Sequence, residues 1–185
     1  MRKILMPIGD AAEVMDTLYA YFRLKEEGFH VVVAGPDVRR YQMVLHEIPP
    51  GWDITRETAG YHLSSEIAFR DVDPTEYAGL FLTGGRAPEY IRYDQDLLRA
   101  VRHFFETGKP VCSVCHGAEL PAAADVIRGR RMATVPKCQL DVEFSGGAFV
   151  NEGVVLDGNL VSGRTWHDAH LYMPVFVKML HGQPI

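Results

Sequence analysis

The run Val111-Cys112-Ser113-Val114-Cys115-His116-Gly117-Ala118 carries the most concentrated chemistry in the chain. Its first half reads as a buried strand and its second half as the start of a helix, with no spacer between them. A cysteine at the end of a buried parallel strand sits at the carboxyl edge of its sheet, where open α/β folds hold ligands. Gly117 gives steric room for a sharp turn, so Cys115 matches the logic of a nucleophile elbow with Cys in place of Ser. A thiol at a helix N-terminus is expected to have a lowered pKa. Cys112 fits the plainer fate of a free cysteine, buried and inert. The two spell C-x-x-C, but strand residues three apart point to opposite faces, so neither a disulfide nor a metal pair is expected.

Other residues should converge on the same edge. Gly84-Gly85 ends the preceding strand, and the N–H groups of Gly85 and His116 are candidate oxyanion donors. Arg86 follows them as a candidate pocket residue. Thr165-Trp166-His167-Asp168-Ala169-His170 follows the last strand. His167 with Asp168 is a candidate base or pocket lining, although a helix cap with a solvated ring is the plainer reading. Cys138 is expected to be a second exposed thiol. His30, His46, His62, His103 and His181 lack metal-ligand spacing, so no metal site is read. Gly9-Asp10-Ala11-Ala12 lacks the glycine fingerprint of a dinucleotide loop, and no cofactor is expected.

Strand and helix patterns alternate from end to end. That implies a mostly parallel sheet covered on both faces, an α/β three-layer doubly wound fold. Residues 3–8 and Phe29 to Ala34 read as buried strands. Between them, Asp10 to Glu13 resembles a capping box, and Met15, Leu18, Tyr19 and Phe22 share the helical face expected to be buried. Residues 36–65 read as a small antiparallel excursion. Gly79 to Thr83 is a short buried strand. Asp94 caps a helix that Gly108 ends, and the elbow helix is expected over Gly117–Asp125. Extended runs over 148–156 and 159–163 precede a last helix, which Pro174 should bend or delay.

The 185 residues suit one domain over 1–185. A net charge of −5 argues against a nucleic-acid surface. No apolar run suits a membrane span, and three cysteines make a disulfide framework unexpected. The cytoplasm is the expected compartment.

Several ordered segments resemble the PfpI branch of the ThiJ/PfpI superfamily. They are Arg23-Leu24-Lys25-Glu26-Glu27-Gly28, Thr83-Gly84-Gly85-Arg86-Ala87-Pro88-Glu89, Ser113-Val114-Cys115-His116-Gly117, Val126-Ile127-Arg128-Gly129-Arg130-Arg131 and Asp157-Gly158-Asn159-Leu160-Val161-Ser162-Gly163-Arg164. The resemblance implies a flavodoxin-like sheet sandwich related to class I glutamine amidotransferases. It implies a cysteine enzyme acting on small reactive carbonyls, as glyoxalases and deglycases do, or on the amides of peptides, as proteases do. A non-catalytic redox sensor using Cys115 is the alternative, and a chaperone-like surface ranks last. Cys115 matches the nucleophile and His116 its adjacent histidine. Glu89 matches an acid that reaches the site from a neighbouring subunit, which implies a homo-oligomer with Glu89 near the interface. The acid expected against the thiol falls on Asp16, where a Glu is usual, with Glu13 as the substitute. Val135 stands where the branch carries a tyrosine.

Overall fold

The computed structural model describes all residues, 1–185. Strand β1 (Lys3–Pro7) leads through a tight loop to helix α1 (Val14–Glu26), and β2 (His30–Gly35) returns parallel to β1. A hairpin of β3 (Arg40–Glu47) and β4 (Arg56–Ser64) is the expected antiparallel excursion. Next come β5 (Ile67–Ala68), β6 (Tyr77–Leu82), helices α2 (Ala87–Ile91) and α3 (Gln95–Glu106), and β7 (Val111–Val114). After α4 (Glu119–Ala123) the chain forms β8 (Arg131–Met132), α5 (Gln139–Phe144), β9 (Ala148–Phe149), β10 (Val155–Asp157), β11 (Leu160–Gly163) and α6 (Ala169–His181).

The central sheet has seven strands in the order β10-β11-β7-β6-β1-β2-β5. All neighbours are parallel except β10, which pairs antiparallel with β11. Its inner strands are buried on both faces, as crossover helices on two sides require. One face buries 24 core residues, including residues of α1 and α6, and the other buries 23, including residues of α3. The near-equal split makes this a three-layer sandwich. Each fully enclosed side chain such as Phe81 or Phe176 contributes about 1.5–3 kcal/mol.

Several local expectations are corrected. Asp10 does not start α1. Glu13 is its N-cap, accepting from the Asp16 N–H at 2.6 Å, while Asp10 pairs with Arg39. Met15, Tyr19 and Phe22 lie on the exposed face of α1, and Leu18 is only partly covered. The face turned inward carries Val14, Asp16, Thr17, Ala20 and Leu24. The site below needs a carboxyl inside, and that reverses the face that apolar content alone selects. The elbow helix is a 3-10 turn over Cys115–Ala118 followed by the short α4. Pro174 lies inside α6 without delaying its start at Ala169. The run over 148–156 is two short strands, β9 and β10, separated by a loop. No helix is long and apolar enough to cross a membrane.

Candidate functional site

Register places the strand ends together. Leu82 pairs with Ser113 and Gly163 with Val114, so the loops after β6, β7 and β11 open side by side at the carboxyl edge. The chain leaves β7 at Cys115 with φ 55°, a left-handed conformation costly for a non-glycine residue. Neighbouring groups hold that conformation. The Thr134 hydroxyl donates to the Cys115 carbonyl at 2.6 Å. A side chain at Gly117 would strike the carbonyl of Leu82, and one at Gly84 would strike both Asp16 Oδ2 and Cys115. Both glycines are therefore required by close approach.

The loop after β6 is stitched to the loop after β1. Glu13 N–H donates to Gly84 O at 3.1 Å, and Arg86 N–H donates to Ala11 O at 2.8 Å. This fixes the start of α1 against Gly84 and turns Asp16 toward the sulfur. Neither Asp16 oxygen has a well-formed hydrogen bond; the polar groups facing the carboxyl are the Cys115 thiol and the Trp166 N–H. Burial, then the negative charge of Glu13, push Asp16 well above the usual carboxylate range. Both effects favour the protonated form of the carboxyl. Glu13 serves as the helix cap and its own carboxyl is pushed up to about 7 by burial.

The Cys115 sulfur meets opposing influences. Burial, then the Asp16 charge, push the resting thiol well above the ordinary cysteine range, and the N–H groups of Gly85 and His116 pull against them. The helix dipole expected from sequence is too short to matter here, because one 3-10 turn replaces the first helical turn. What stabilises negative sulfur is a pair of individual N–H donors. Once Asp16 is protonated its charge no longer opposes the thiolate, and its O–H is available to donate to the sulfur.

His116 is 6% exposed, not solvated, with Nδ1 3.3 Å from Cys115 Sγ. Burial first, then the Lys137 and His46 charges, lower its ring to about 4. It is therefore neutral at pH 7 and able to accept a proton. Cys112 lies in the same core cluster as Cys115 and Asp16 raises both thiols, so the two are not on opposite sides as expected. The left-handed turn at Cys115 breaks the strand alternation. All three cysteines are free.

A cavity of about 510 Å³ opens on Cys115 and His116. Val135, Trp166 and His167 line it, together with His46, Thr55 and Lys137. Val135 makes the wall apolar where the resemblance places a hydroxyl. His167 hydrogen-bonds Thr165 at 3.1 Å and stacks on Trp166, while Asp168 is held by Arg164 at 2.8 Å. His167 and Asp168 thus have separate partners: His167 lines the cavity with its ring exposed, and Asp168 does not face it as part of a base. Thr165, not Asp168, gives the side-chain cap, accepting from the His167 N–H. Arg86 and Glu89 line an adjoining cavity with His116, His46 and Glu57. Cys138 is 1% exposed, which overturns its reading as a surface thiol. It packs against Glu119, with Sγ 3.8 Å from Oε1.

Sequence reasoning missed His46, Glu57 and Glu119. His46 and Glu57 are opposed across the β3–β4 hairpin, with Nε2 to Oε2 at 2.9 Å, and Arg86 clamps Glu57 at 2.8 and 2.9 Å. That clamp first, and His46 after it, hold Glu57 down to about 2 against burial. The hairpin's docking on Ala12 through the Val44 N–H was not legible locally. Glu119 stands three residues after His116, a spacing that was legible.

Comparisons with known proteins agree with this architecture. The chain is 36% identical over 178 residues to a deglycase of Pyrococcus abyssi, covering 96% of this chain and 99% of that protein. It is 33% identical to the deglycase PfpI of Pyrococcus furiosus over the same shares. Protein/nucleic acid deglycase 2 of Escherichia coli is 41% identical over 141 residues, which are 76% of this chain and 82% of that one. Among solved structures, the putative protease I of Bacteroides thetaiotaomicron superposes with a TM-score of 0.79 at 17% identity, over 97% of this chain and 99% of that one, and shares the fold. The sequence model of the DJ-1/PfpI family matches residues 2–179. With the elbow, the sheet order and the relatives in agreement over nearly the whole chain, this protein belongs to the DJ-1/PfpI family.

Proposed function

We propose that this protein is a cysteine-dependent enzyme of the deglycase or glyoxalase type, acting on α-oxoaldehydes and on the adducts they form with amines. One observation carries the reading. The Cys115 sulfur faces a buried carboxyl whose protonated form is favoured (Asp16), a neutral imidazole (His116) and two N–H donors (Gly85, His116), and opens on a cavity large enough for a small carbonyl. Relatives named as deglycases support it.

The thiolate adds to the aldehyde carbon and forms a C–S bond, giving a hemithioacetal. The Gly85 and His116 N–H groups stabilise the developing alkoxide, which then takes a proton. His116 removes the proton from the former aldehyde carbon to give an enediol and returns it to the neighbouring carbon, while the hydroxyl proton on the former aldehyde oxygen moves to the neighbouring oxygen, so the hemithioacetal rearranges to a thioester. Water hydrolyses the thioester, releasing a hydroxy acid and restoring the thiol. For an amine adduct, the amine leaves before rearrangement. A ring lowered to about 4 holds the thiol's proton weakly, so the site suits an intrinsically reactive electrophile better than an amide.

Glu89 lines the adjoining cavity with His116, which supports a Cys-His-Glu constellation completed by this acid from a neighbouring subunit. The exposed Met15, Tyr19 and Phe22 on α1 support a homo-oligomer, and the mass in solution tests it. The same enclosed thiol also suits a peroxide sensor. Conversion of methylglyoxal to lactate by the wild type, reduced at least about a thousandfold in Cys115→Ala, is the expected result. An unchanged rate in Cys115→Ala refutes the enzyme reading; selective oxidation of Cys115 without turnover favours the sensor.

A further inference from the structure

His116 borders a second thiol and a second carboxyl that the chemistry above does not use. His116 lies in the 3-10 turn Cys115–Ala118 and Glu119 opens α4 directly after it, so the two stand three residues apart on one continuous helical path where side chains meet. Cys138 arrives from the 3-10 turn Pro136–Cys138, closed by its N–H to Val135 O at 2.9 Å. One donor atom from each of His116, Glu119 and Cys138 lies within 4.8 Å of the other two. All three residues are buried, at 6%, 5% and 1% exposure. Glu119 Oε2 accepts no hydrogen bond, a costly state for a buried carboxyl oxygen. Arg92 stands 3.7 Å from Oε2 but is paired more closely with Asp141, at 3.2 Å. A cavity of about 510 Å³ bordered by the three residues leads to solvent past Glu89 and Lys137.

We propose that His116, Glu119 and Cys138 form a binding site for a thiophilic divalent cation of the zinc type, with a fourth position open to water. One imidazole, one carboxylate and one thiolate are a donor set that such cations accept. Nδ1 of His116 is engaged with Cys115, so Nε2 is the ligating atom. Metal–ligand bonds of about 2.0–2.3 Å require the three donors to draw together by up to about 1 Å on binding. The Cys138 S–H bond breaks as the S–metal bond forms, and its proton passes to solvent. The consequence for catalysis rests on the function proposed above. A metal-bound His116 keeps its proton on Nδ1, facing Cys115, and no longer accepts one from the substrate. The cation is then a reversible inhibitor that acts by occupying the base.

The test is a cobalt titration of the full-length, metal-free protein under a phosphine reductant. Cobalt is the probe because its thiolate charge-transfer band reports sulfur ligation without any turnover. The expected result is one Co²⁺ per chain with that band, displaced by Zn²⁺. Cys138→Ser abolishes the band, Glu119→Gln weakens binding at least about tenfold, and Cys112→Ser retains the band. Circular dichroism confirms that each variant folds, and Glu119→Gln decides the matter if Cys138→Ser does not. The proposal is overturned by the absence of a thiolate band in the wild type, by its survival in Cys138→Ser, or by its loss in Cys115→Ser. Binding with these signatures but without inhibition of methylglyoxal turnover keeps the site and refutes the inhibitory consequence. A protein with no turnover at all leaves the spectroscopic result standing and refutes only the enzyme reading.

Discussion

Two thiol–carboxyl pairs flank the same imidazole, and they differ in what else faces the sulfur. Cys115 and Asp16 sit where three loops meet at the sheet edge, with two N–H groups turned to the sulfur and a left-handed backbone that frees them. Cys138 and Glu119 meet where α4 faces the turn before α5; the Thr134 hydroxyl beside that sulfur already donates to the Cys115 carbonyl, and the Lys137 charge is the other group that favours negative sulfur there. Burial raises both thiols first, and both carboxyls as well. Burial against an acid is therefore common to both thiols and does not distinguish the proposed nucleophile. What distinguishes Cys115 is the pair of backbone N–H groups turned to its sulfur, the feature on which the proposed nucleophile rests.

Asp16→Asn should break the elbow pair most severely. The amide keeps the shape, but the carboxyl's proton-sharing is lost, and methylglyoxal turnover should fall about 10²–10⁴-fold, chiefly in kcat. A fall confined to KM would mean that Asp16 only shapes the pocket. Gly84→Ala should come next, because an added methyl has no space between Asp16 Oδ2 and Cys115. A loss of about 1–3 kcal/mol, read as a lower melting temperature, is expected together with impaired alkylation of Cys115. An unperturbed variant would show that the approach of Asp16 to the sulfur is looser than described.

The smallest effect concerns Glu13. Its carboxyl is raised from 4.5 to about 7 in the folded chain, so the native state binds the extra proton between those values. This contribution to stability is fully present below pH 4.5 and is lost as pH rises to about 7. His116, lowered from 6.5 to about 4, acts in the opposite sense over nearly the same window. The informative quantity is therefore the difference between two proteins. The melting temperature of Glu13→Gln relative to wild type should rise by a few degrees between pH 5 and 8. A constant difference would show that Glu13 is not desolvated.

The mostly parallel sheet and the elbow were legible because each depends on short apolar runs and on glycines next to them. Asp16 was legible only through the family resemblance. Periodicity selected Met15, Tyr19 and Phe22 as the buried face, whereas the fold turns Asp16 and Thr17 inward, and Thr17 shares a hydrogen bond with Thr83 at 2.7 Å. Amphipathic patterning assumes that the apolar stripe faces the core, and a helix that delivers a carboxyl to a site violates the assumption. His46 was passed over because its meaning depends on Glu57 across a hairpin and on Arg86, 29 residues further still. Cys138 was taken for a surface thiol because nothing near it in sequence announces Glu119, 19 residues earlier.

The central claim is that the elbow holds Cys115 as a ready nucleophile despite its burial. The pH dependence of iodoacetamide alkylation, measured in a Cys112→Ser/Cys138→Ser background so that only Cys115 reports, tests it most directly. The account predicts an apparent pKa well below the free-cysteine value of about 8.5. A value at or above 8.5 would contradict it: burial, which pushes the thiol up, would then outweigh the two N–H donors, and Cys115 would be a packed structural residue on an inherited fold.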